Sequence, residues 1–90
     1  MNLTKLNNLQ KTVLVIAGSD PSGGAGIQAD LKTLTSFGVY GMTAITALTE
    51  QNTNGVFDIL EIPIEFVVKQ INCCLSDSNA NAVKIGTVSY

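Results

Sequence analysis

Residues 12–38 read TVLVIAGSDPSGGAGIQADLKTLTSFG, and this stretch decides the fold. Thr12 to Ala17 is a short β-branched apolar run closed by Gly18, the pattern of a strand buried on both faces of a parallel sheet. Gly18 to Gly26, with a proline and four glycines among nine residues, breaks regular structure and forms a loop. From Ile27 the apolar residues Leu31, Leu34 and Phe37 recur at helical spacing, and Gly38 provides a stop. Strand, glycine-rich loop and helix in that order open a βαβ unit.

Working outward, Met42 to Thr49 reads as a second strand, and Gly55 to Leu60 as a third, more exposed one. Pro63 opens a second helix, predicted over 63–77. Ile64, Val67, Val68, Ile71, Cys74 and Leu75 fill one arc of it, with Phe66 and Cys73 opposite, so cover on both sides is expected. Ala82 to Ile85 is a last short strand, its period broken by Lys84, and Gly86 follows. Residues 1–11, rich in Asn and Lys, show no sustained period and read as a flexible tail. Alternating strands and helices imply an α/β fold with crossover helices and a mostly parallel sheet. Ligands of such sheets bind beyond the carboxyl ends of the strands, where Gly18, Gln51 and Thr87 are expected to converge.

Composition limits the partners. The net charge is -2 with no basic run, which argues against nucleic acid or an anionic membrane. Charged residues are 13% of the chain and apolar ones 46%, too little charge to coat a small domain. The longest apolar run, Val13 to Ala17, falls far short of the roughly 20 residues that span a bilayer. A homo-oligomer or a complementing C-terminal half would cover the excess apolar surface, and the cytoplasm is the expected location. Cys73 and Cys74, without a histidine in the chain, match no zinc or redox spacing and read as reduced packing residues; no metal site is expected.

Asp30 falls on the apolar face of the first helix, between Leu34 and Phe37 at about 100° per residue. A carboxylate there needs a partner, such as a loop amide or a ligand, unless it sits at the rim near the helix start where the dipole favours it. The glycine loop admits several readings. A P-loop requires Lys where Gly24 stands. A dinucleotide-binding fingerprint is matched by Gly24 to Ala29, with Glu50 further on, but its first glycine should follow the strand at once. A turn needed only for chain reversal is the plain alternative.

Ala17 to Thr33, Tyr40 to Met42, Ile45 to Leu48, Gln51 to Thr53 and Val83 to Gly86, taken in order, resemble the opening segment of the hydroxymethylpyrimidine/phosphomethylpyrimidine kinases. Pyridoxal kinases share parts of the pattern. The resemblance implies a partial ribokinase-like fold. The implied activity is transfer of the ATP γ-phosphoryl to 4-amino-5-hydroxymethyl-2-methylpyrimidine and then to its monophosphate. It further implies that Gln51 recognises the aminopyrimidine, with Gly18 and Asp30 beside the substrate. A primary amide suits that task because it offers a donor and an acceptor side by side. Thr87 stands where similar kinases usually carry Met, and Glu50 where a small or neutral residue is usual. The sites for ATP and Mg2+ and the catalytic cysteine are expected in a later segment, so no catalytic residue is assigned here. An enzyme represented by its first segment, and a non-catalytic binding module, are the two classes of function expected.

Overall fold

A computed structural model describes residues 10–86. The elements run β1 (Thr12–Ser19), α1 (Gly26–Ser36), β2 (Tyr40–Asn52), β3 (Gly55–Glu61), α2 (Ile64–Asp77) and β4 (Ala82–Ile85). All six expected elements form, with ends within about three residues of those read from the pattern. Of the tail expected over 1–11, residues 1–9 lie outside the described part. Gln10 donates to Gly38 O at 2.6 Å, and Lys11 O accepts from Tyr40 N at 2.9 Å.

The four strands form one sheet in the order β3-β2-β1-β4. β1 pairs in parallel with both β2 and β4, whereas β3 runs antiparallel to β2. The antiparallel pair follows from the short connection after Asn52: two or three residues can close a hairpin but cannot carry a parallel crossover. The chain therefore steps one way across the sheet through α1 and back the other way through α2. β1–α1–β2 is a parallel crossover, whereas α2 joins β3 to β4, which run in opposite senses.

β1 is the centre of the core. Val15 and Ala17 pack with Ile27 of α1, joined by Val13, Leu34 and Ile45. Leu14, on the other side of the pleat, is equally inaccessible, as is Ala44 of β2. Residues of both parities are buried, so β1 is covered on both faces as its unbroken apolar run requires. Each such Leu or Val contributes roughly 1.5–3 kcal/mol by leaving water. Gly41 lets α1 come close, since a Cβ there would collide with the Leu31 side chain.

α1 ends in a paired-bond C-terminal motif. Gly38 takes φ +71°, its N–H donates to Thr35 O, and Val39 N donates to Leu34 O. Phe37 departs from the expected buried face: it sits at the C-cap and is 79% exposed. The motif turns the chain one residue later and leaves this last apolar position outside the α1–sheet contact.

α2 also departs from its expected two-sided cover. Only Val67 is buried in that helix, while Ile64 and Phe66 are 73% and 54% exposed. Its grip on the sheet is partly polar. Gln70 Oε1 accepts from Ile45 N and Gln70 Nε2 donates to Ile45 O, both at 2.9 Å, and Cys74 Sγ approaches Thr43 O. A side-chain amide thus pairs with β2 where β3 does not, satisfying backbone groups that would otherwise be stranded. Both thiols are free; burial, then the adjacent Cys73, pushes the Cys74 thiol up.

Candidate functional site at the carboxyl ends of the strands

The loop between β1 and α1 is built around Asp20. This side chain is 2% exposed, and its carboxylate accepts four hydrogen bonds. Ser22 N and Ser22 Oγ donate to Oδ1 at 2.8 and 2.6 Å, and Gly24 N and Ala25 N donate to Oδ2 at 3.0 and 2.9 Å. The Ser22 hydroxyl bond, outweighing burial and aided by the amides of Ser22, Ala25 and Gly24, holds the carboxyl below its ordinary value. Its charge is consumed by the loop. The sequence reading passed over Asp20; the signal was Asp followed by Pro and Ser, the composition of a turn in which a carboxylate bonds the amide two residues on.

Gly26 closes the loop onto the strand. It adopts φ +59°, pairs with Ser19, and any Cβ on it would run into Gly18 O. Gln28, one turn into α1, bonds back twice: Asp20 N donates to its Oε1 at 2.8 Å, and its Nε2 donates to Ser19 Oγ at 2.7 Å. Lys32 Nζ donates to Gly23 O at 2.9 Å. The glycine-rich segment is therefore a rigid ledge, its amides spent on Asp20 rather than turned outward to a phosphate.

Beside this ledge lies a cavity of about 300 Å³ lined by Ala17, Ala25, Gly26, Ala29, Asp30, Lys84 and Gly86. The partner of Asp30 is neither a loop amide nor a helix-end dipole: Lys84 Nζ donates to its Oδ1 at 2.5 Å, across from β4. Lys84, which broke the strand period, leaves the sheet to reach it. Gly86 is needed close by, since a Cβ there would stand 3.0 Å from that of Ala17.

Gly18 is buried within β1 and Gln51 lies within β2, so both belong to strands and not to the connections after them. Gly18 is not a cavity-lining residue; its carbonyl faces Gly26, which is one. Gln51 is not among the cavity-lining residues. It lies three residues beyond Leu48, which pairs with Ser19, and is tied to that end of β1 by Thr49. Thr49 Oγ1 stands 2.9 Å from Ser19 O and 2.9 Å from the side-chain amide of Gln51. A register shift between Glu50 and Gln51 re-aims this end of β2, a common device beside binding sites. Glu50 itself faces Asp58 across the antiparallel pair and is exposed. Thr87 lies outside the described residues.

The cavity can hold a small polar molecule against the Asp30 carboxylate and the Lys84 ammonium. It does not fit a magnesium–nucleotide site. Among the described residues no three His, Cys, Asp or Glu side chains gather, Asp20 is saturated by its own loop, and the Lys84 charge is paired. Among them, too, no helix is long and apolar enough to cross a membrane.

Comparison with known proteins agrees with this fold. The family profile described as Phosphomethylpyrimidine kinase matches residues 20–90. The hydroxymethylpyrimidine/phosphomethylpyrimidine kinase of Rhizobium meliloti is 55% identical over 76 residues, which are 84% of this chain and 29% of that protein. A crystal structure of phosphomethylpyrimidine kinase from Clostridium difficile 630 superposes with a TM-score of 0.85 at 53% identity, covering 90% of this chain and 35% of the other. The pyridoxal kinase of Staphylococcus aureus, solved in complex with pyridoxal, gives 0.78 at 40% identity, covering 90% and 31%. The chain thus spans about a third of the length of these kinases, and it belongs to the phosphomethylpyrimidine kinase family.

Proposed function

We propose that this chain supplies the pyrimidine-binding side of an ATP-dependent kinase acting on 4-amino-5-hydroxymethyl-2-methylpyrimidine and its monophosphate in thiamine biosynthesis, and that alone it does not turn over. Gln51 recognises the aminopyrimidine edge, while Gly18 and Asp30 border the substrate. The supporting observation is the cavity at the carboxyl end of β1, with Asp30 on its wall, in a chain of this family. ATP and Mg2+ belong to the part of the kinase that lies outside the 29% of the relative spanned here. In this reading the protein works in the cytoplasm on a small molecule, completed by a C-terminal half or by the rest of a longer chain.

The deciding experiment joins this chain to the remaining segment of the Rhizobium meliloti relative and measures steady-state kinetics. Gln51→Ala should cost roughly 1–3 kcal/mol in kcat/KM for the pyrimidine, the effect of leaving a polar partner unsatisfied. The KM for ATP should hardly change. Equal losses for both substrates, or none for either, would make Gln51 a scaffold residue. The 90-residue chain alone should show no phosphorylation above a no-enzyme control. The 40% identity to a pyridoxal kinase makes pyridoxal the second substrate to try, and preferential phosphorylation of pyridoxal would replace the pyrimidine reading.

A further inference from the structure

Thr49 carries one hydroxyl proton and stands 2.9 Å from two groups, Ser19 O and the Gln51 amide, whose Oε1 end is turned toward it. Both are then pure acceptors, and one proton can give a full, near-linear hydrogen bond to only one of them. The Ser19 carbonyl has no alternative orientation, because it belongs to the β1 backbone. The Gln51 amide has one: a half-turn of its terminal torsion exchanges Oε1 for Nε2 with no change of shape. With Nε2 toward Thr49, both contacts become hydrogen bonds in a single directed chain. Gln51 Nε2–H donates to Thr49 Oγ1, and Thr49 Oγ1–H donates to Ser19 O.

We infer that Thr49 is a positioning residue that sets the polarity of the Gln51 amide, holding Nε2 inward and leaving Oε1 with the second N–H as the outward edge. This rests on the reading of Gln51 as the pyrimidine-recognising residue and goes one step further, to the substrate's hydrogen-bond pattern. An outward acceptor beside a donor complements a ring nitrogen that accepts next to an exocyclic amine that donates. It mismatches the 4-oxo analogue, in which the ring N–H donates and the exocyclic oxygen accepts. An amide free to turn would take either; one anchored through Thr49 to the backbone of β1 selects the amino form. Ser19 is itself fixed by Gln28 and by its pairing with Gly26, so the anchor extends back to the glycine loop.

The test uses the 15N-labelled full chain. In the wild type one Gln51 Nε2 proton should resonate downfield of a free amide and exchange slowly. Thr49→Val, which preserves shape, should return it to the free position, and Thr49→Ser should keep the downfield signal. An amide unchanged by Thr49→Val overturns the inference. Titration with the 4-amino pyrimidine and its 4-oxo analogue reads the consequence. The wild type should prefer the amino form, and Thr49→Val should shrink that preference by about tenfold, since a site loses discrimination when its polar groups can reorient. If Thr49→Val moves the amide signal but neither ligand perturbs Gln51, the recognition role of Gln51 falls together with the substrate half of the inference. If the amino form perturbs Gln51 and the preference survives Thr49→Val, Gln51 stands and the positioning role of Thr49 is overturned.

Discussion

The β1–α1 region and the α2–β4 region of this chain satisfy their atoms in opposite ways. Around the glycine loop nearly every partner lies within ten residues: Asp20 takes up Ser22, Gly24 and Ala25, Gln28 returns to Ser19 and Asp20, and Lys32 caps Gly23 O. In α2 and β4 the partners are distant. Gln70 reaches back to Ile45 and Lys84 to Asp30, while Val83 and Ile85 remain 52% and 68% exposed. The first region is closed by its own sequence, whereas the second presents apolar surface that a further element would cover. Local bonds hold the shape of the glycine loop whether or not an element covers the second region.

If that contrast holds, Gly26→Ala is the most damaging single change. It forces a side chain into a left-handed backbone position and against Gly18 O, and should cost about 3 kcal/mol or more. Chemical denaturation would show it, and a loss below 1 kcal/mol would mean that the loop yields easily. Gln70→Ala, which strands the N–H and carbonyl of Ile45, should cost about 1–3 kcal/mol, and Gln70→Leu should not recover it. Hydrogen exchange should accelerate at Ile45 and hardly change in the glycine loop. Comparable acceleration in both places would erase the difference between the regions.

Acid provides a gentler probe of the loop. The Asp20 carboxyl lies below its ordinary value in the folded chain, so the unfolded chain takes up a proton first as pH falls. Its contribution to stability is complete above the ordinary value of 3.8 and is lost as pH drops through the lower folded value. Ser22→Ala removes the largest cause of the shift and should move this acid limb of the stability curve toward higher pH. A curve that superposes on the wild type would assign the shift to the backbone amides instead. The smallest effect belongs to Lys84→Met: the Lys84 side chain is 54% exposed, so losing its pair with Asp30 should cost under about 1 kcal/mol and fade with added salt. A larger, salt-independent loss would show that the pair is a structural tie of β4.

Much was legible along the chain because it is encoded at short range. The unbroken run of β1, the helical spacing after Ile27, the Gly38 stop and the Pro63 helix start each depend on neighbours within a turn or a pleat, and the element order follows from them. The family resemblance is legible for the same reason, being a set of motifs in order. What only the tertiary structure decided are contacts whose partners are far apart in sequence or whose competition is three-dimensional. These include the strand order β3-β2-β1-β4, the partner of Asp30 54 residues away, the exposure of Phe37, and the single Thr49 proton set between a backbone carbonyl and the Gln51 amide. Periodicity states that a residue faces the sheet. It does not state which strand lies beneath or what that strand carries, because pairing across a sheet is chosen by the closure of the whole fold.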